Sequence, residues 1–142
     1  MGLLGKLFGG EKGYPPLDPG TPEGARMEKH RDVAIAFAAR LHDPLEVVPG
    51  ERYLYAFIGK PPDAFGIAWF EGAEEHNLKS LMKARNLTTA QVAKISDELR
   101  RAYVLCQGEP RFSLPAGKKV VVVHPSQALE KELLRIIHEA GD

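Results

Sequence analysis

Six of the chain's eleven aromatic side chains lie between Arg52 and Glu71, in two runs separated by a turn. In the first run, Tyr53, Tyr55 and Phe57 fall on one face of an extended strand, and Leu54, Ala56 and Ile58 on the other. Both faces are apolar, so this strand is expected in the middle of a sheet or covered on both sides. Gly59-Lys60-Pro61-Pro62-Asp63 has turn chemistry, and Phe65 to Glu71 runs back as the partner strand. A plainer hairpin of similar outline follows later. Arg111 to Leu114 leads into a Pro115-Ala116-Gly117 turn, and Lys119 to His124 returns.

Stretches with helical spacing flank both hairpins. From Met27 to Leu41 the apolar residues Met27, Ala34, Phe37, Ala38 and Leu41 recur at helical offsets, and His42-Asp43-Pro44 stops the run. A short helix carries Leu78, Leu81 and Met82. Thr88-x-x-Gln91 is a capping box that opens the next helix, whose stripe runs through Val92, Ile95, Leu99, Ala102, Tyr103 and Cys106. Ser126 is the expected N-cap of a last helix bearing Leu129, Leu133, Ile136 and Ile137. The expected fold is α+β: a four-stranded, mostly antiparallel sheet from two β-hairpins, packed with about four helices. The plan is helix-hairpin-helix, repeated once.

Residues 9–24 hold five glycines and four prolines, a composition that buries too little surface to offset its ordering entropy. Residues 1–25 are therefore expected to form a flexible tail and linker, and 26–142 a single domain. The tail isolates Leu3, Leu4, Leu7 and Phe8, which share one side of a short helical turn and would suit a hook that docks on a partner.

Lys and Arg total 19, as do Asp and Glu, and neither half of the chain is strongly polarised. Binding that neutralises many phosphates is disfavoured by this balance. Cys106 is the single cysteine, so no internal disulfide forms, and its place on an apolar stripe suits a small buried hydrophobe. No apolar run approaches the ~18 residues needed to span a bilayer. The apolar N-terminus is short for a signal-peptide core, and Lys6 stands where an acylation motif wants Ser or Thr. The expected location is the cytoplasm.

Nucleophile, phosphate-loop and dinucleotide motifs are absent from the sequence. Glu71, His76 and His124, with Glu74 and Glu75 nearby, are the residues most suited to acid–base or metal chemistry. Their spacing matches no established ligand signature, and neither metal nor cofactor is expected. Leu78 to Ile95 resembles the first helix and the start of the second in repressor-type helix-turn-helix proteins. That resemblance implies DNA contacts from Lys79, Lys83, Arg85, Arg100 and Arg101, and a helix break near Asp97. Glu98 stands where the motif usually has an apolar residue. A sheet face bearing Tyr53 and Tyr55, left uncovered, would instead be a partner or self-association surface. The sequence thus points to a small non-enzymatic domain that binds a protein partner or a second copy. The alternatives are a helix-turn-helix-related DNA binder and a small metal- or ligand-dependent enzyme.

Overall fold

In the computed structural model, which describes residues 13–139, a six-stranded sheet is sandwiched between one helix and three. Helix α1 (Pro22–Arg40) leads into β1 (Leu45–Pro49), β2 (Tyr53–Lys60), β3 (Ala64–Glu71) and β4 (Glu74–Asn77). Two helices follow, α2 (Leu78–Arg85) and α3 (Thr89–Leu105), then β5 (Phe112–Ala116), β6 (Lys119–Val123) and α4 (Gln127–His138). The strand order is β4-β3-β2-β1-β6-β5. Every neighbouring pair is antiparallel except β1 and β6, which run parallel.

This corrects the four-stranded, mostly antiparallel expectation: among the described residues there are four helices, but the sheet is mixed and gains two strands. One is β1, which sits between the two hairpins and joins them. Pro44 and Pro49 bracket it and give Leu45 to Val48 the look of a loop, yet Val47 and Val48 are both fully buried. A proline at the strand's last position leaves its inner ladder intact. The other is β4, Glu74-Glu75-His76-Asn77, a short charged strand on the sheet's edge. Such composition discourages pairing with foreign strands.

Alternation along the strands builds two cores. Val48, Tyr55, Phe57, Ile67 and Trp69 meet α2, α3 and α4 through residues such as Leu81, Leu99, Leu133 and Ile137. On the opposite face Val47, Leu54, Ala56, Phe70 and Val123 meet α1 through Met27, Ala34 and Phe37. Strand β2 is thus covered on both faces, as its two apolar faces require.

Local signals set the helix ends. Thr21 caps α1, its Oγ1 accepting from the Gly24 amide at 3.0 Å, so the helix starts at Pro22, inside the expected linker. Ahead of it, the Ser113 amide donates to the Pro15 carbonyl at 2.9 Å, pinning this stretch along the β5 edge. Thr88 and Gln91 form the capping box of α3, and Ser126 caps α4. Asn86 ends α2 in the left-handed region at φ 54°. Leu3, Leu4, Leu7 and Phe8 lie outside the described residues. Among the described residues, no helix is long and apolar enough to cross a membrane.

One buried and one half-buried imidazole tie stability to pH. His30 bonds the Gly50 carbonyl through Nε2 at 2.9 Å, and His138 meets the Tyr55 hydroxyl at 3.1 Å. Burial is the main cause that holds both below the usual imidazole value of 6.5, opposed at His30 by the Gly50 bond and reinforced at His138 by Arg85 and Arg52. The unfolded chain therefore takes up these protons first. Stability is fully present above 6.5 and falls as the pH drops through and below it. The urea midpoint is expected to fall between about pH 7 and about pH 5, with a shallower slope in His138→Gln. An unchanged slope in that variant would remove His138 from the account.

Candidate ligand-binding cleft

Strands β1 and β6 pair only over Glu46–Val122 and Val47–Val123. Upstream of that short seam they part. Pro44 stays with β2, its carbonyl accepting from the Gly59 amide at 2.9 Å, while Lys119 to Val121 stay with β5. A cleft of about 770 Å³ opens in the gap. Pro44, Leu45, Lys60 and Pro61 form one wall, and Lys118 to Val122 the other. Gly59, on the first wall, sits at φ +107°, and a Cβ there would approach the Ala64 carbonyl oxygen to 2.9 Å. Only glycine adopts this backbone without strain.

The floor is a polar network built from four elements of the chain. Glu46 lies between Leu45 and Val47, which face α1, so its side chain points to the α3 side. There the Tyr103 hydroxyl donates to Glu46 Oε1 at 2.8 Å, and Arg111 Nε donates to Oε2 at 3.0 Å. Arg111 also donates from Nη1 to the Gln107 and Glu109 carbonyls, at 2.7 and 3.1 Å, and from Nη2 to the Tyr103 hydroxyl at 3.2 Å. His124 Nδ1 lies 3.0 Å from Glu46 Oε2, and Nε2 lies 3.3 Å from Glu109 Oε1.

Burial alone would raise the Glu46 carboxyl, but its bond with His124, the charge of Arg111 and the Tyr103 hydroxyl together hold it below the ordinary value of 4.5. Burial, reinforced by Glu46, pushes the Tyr103 phenol up to about 12. The network is therefore ionic yet internally paired, which offsets much of its desolvation cost.

The mouth is basic. Lys119 donates from Nζ to the Ala38 carbonyl at 3.1 Å and also to those of Leu41 and Asp43, so it caps the last turn of α1. Lys60 and Lys118 are exposed, and neither makes an ion pair among the described residues.

The residues singled out in the sequence lie elsewhere or in different company. Tyr55 is fully buried beneath α4. Tyr53 is half-buried, stacked on the His138 ring at 4.1 Å with the Arg52 guanidinium 5.1 Å from its own ring. The fold does not bring Glu71, His76 and His124 together. Glu71 pairs with Arg52 at 2.7 Å, and His76 stacks on Trp69 and lies 3.7 Å from Glu74. His124, at the end of β6, is three strands from Glu71 and four from His76, in the network above. Among the described residues no group of three or more His, Cys, Asp or Glu side chains is arranged to hold a metal ion. Helix α3 runs unbroken through Asp97; Arg100 bonds the Pro62 carbonyl at 2.8 Å, Arg101 pairs with Asp97, and Arg85 donates to the His138 carbonyl at 2.8 Å. Sequence reading missed Glu46, Tyr103, Glu109 and Arg111 as a unit. The available signal was Glu46 itself, a charge set in an otherwise apolar Leu-x-Val-Val run.

Comparison with protein-family models, curated proteins and solved structures returns no match.

Proposed function

We propose that this protein is a non-enzymatic binding module whose ligand occupies the cleft between β1 and β6. The cleft carries the reading. Its volume of about 770 Å³ falls in the range of roughly 300–1,000 Å³ usual for small-molecule sites. Its walls combine apolar side chains with a few polar groups already fixed by one another. Glu46, Tyr103 and Arg111 hold their positions through mutual bonds, which lowers the ordering cost of binding. His124 has no exposed side-chain surface and does not line the cleft, which weighs against acid–base work on an occupant. The DNA-binding alternative depends on a break at Asp97, and α3 has none.

Amide spectra of the ¹⁵N-labelled protein, recorded against a library of small organic acids, amines and neutral fragments, test the reading. Shifts are expected to cluster at Leu45, Lys60 and Lys118 to Val122. Val120→Trp, which fills the cleft from one wall, is expected to abolish them. Hits that map elsewhere, an absence of hits, or hits that survive Val120→Trp would each overturn it.

A further inference from the structure

We infer that the occupant of the cleft is a small organic anion with an apolar body, its oxyanion head held at the mouth by Lys60 and Lys118. The inference rests on the cleft being the binding site. In a chain with 19 basic and 19 acidic residues, the cleft is lined by Lys60, Lys118, Lys119 and Arg111 against Asp43 and Glu46. Arg111 and Glu46 neutralise each other at the floor. Lys119 is committed to the carbonyl end of α1, where a cation offsets the helix dipole. Among the described residues, the charge left at the opening is that of Lys60 and Lys118, with Asp43 as the one opposing group.

These two lysines stand on opposite walls, and their backbones are fixed. Lys60 ends β2; its carbonyl accepts from the Asp63 amide at 3.1 Å, and Arg100 anchors the adjoining turn at Pro62. Lys118 follows Gly117 in the two-residue loop between Ala116 and Lys119. Gly117 sits at φ +67°, which suits the first central position of a hairpin turn matched to strand twist. Binding therefore has to order only the two flexible stems. An ammonium at the end of such a stem acts as a compact point charge that reaches an anion from either side. Deeper in the cleft, Leu45, Val120, Val122 and the Tyr103 ring offer apolar surface. A bare inorganic ion would leave that surface wet, whereas a carboxylate, sulfonate or phosphate on an aliphatic or aromatic body would cover it.

Two fluorescent probes of nearly the same shape separate head from body: 8-anilinonaphthalene-1-sulfonate, and the uncharged N-phenyl-1-naphthylamine. The sulfonate is expected to saturate at one site per chain. Lys60→Ala combined with Lys118→Ala is expected to weaken it by about tenfold, as is a rise in salt, because both lysines are exposed and screened. Binding of the uncharged probe should be unchanged by either. Circular dichroism of the double variant verifies that its fold is intact. If both probes bind equally and the double variant alters neither, the anion inference falls. The cleft survives that result if Val120→Trp still abolishes both. If Val120→Trp leaves both probes bound, the cleft reading fails, and the anion inference with it.

Discussion

Glu46→Ala is expected to cost about 3–5 kcal/mol of folding stability, because it leaves the Arg111 guanidinium buried without its counter-charge and the His124 ring without its Nδ1 partner. The carboxylate is 12% exposed and holds three partners at once, on α3, in the α3–β5 loop and at the end of β6. Glu109→Ala is the control. It touches the same imidazole, but its side chain is 40% exposed, and its loss should cost under about 1 kcal/mol. Urea unfolding of both variants at neutral pH measures the difference. Glu46 also sets a direction in acid. Its folded value lies below 4.5, so its contribution is present above 4.5 and is lost as pH falls through that lower value. The gap between wild type and Glu46→Ala should narrow accordingly. Equal costs for Glu46→Ala and Glu109→Ala would mean that the floor of the cleft is not organised around Glu46.

Phe57→Ala is expected to be comparably damaging, at about 3–5 kcal/mol. Phe57 is fully buried in the central strand β2, its ring 5.2 Å from that of Tyr103 and 5.4 Å from that of Phe65. Removing it opens a void under α3 that the rigid sheet on one side and a long helix on the other cannot collapse to fill. Tyr53→Ala, on the same face of the same strand, should cost only about 1 kcal/mol. Tyr53 is half-buried and loses mainly its stack on His138. Thermal unfolding of the pair ranks the two sites. A Tyr53 cost matching that of Phe57 would show that α4 seals the end of β2 more tightly than the half-buried ring implies.

The elements legible in the sequence were those whose side chains announce one environment. Tyr53 to Ile58 carries two apolar faces and is a strand covered twice over; Thr88-x-x-Gln91 and Ser126 mark the starts of α3 and α4 by capping chemistry that needs no tertiary help. What was not legible depended on neighbours far along the chain. Leu45 to Pro49 is too short to show a period, and it becomes a central strand only because β6 arrives on its open side. Glu74 to Asn77 has no apolar residue to reveal alternation, and Gly72, at φ +60°, folds it back onto β3. The cleft is a product of the same long-range pairing, formed where β1 and β6 separate, so neither wall hints at it alone. The isolated pattern of Glu71 and His76 suggested chemistry because carboxylates and imidazoles next to a strand end look alike in sequence whether they face a pocket or an edge.

The parallel seam has a consequence for how the chain is made. Glu46 and its partner Val122 are separated by 76 residues. At the usual elongation rates of roughly 5–20 residues per second, β1 leaves the ribosome several seconds before the strand that covers it. During that interval the antiparallel meander of β1 to β4 ends in a bare, valine-rich border, the kind of border that recruits stray strands. The nascent chain is therefore most vulnerable to mispairing in the time between the emergence of Val48 and that of Val123, and any codon or chaperone effect on its yield should act within that window.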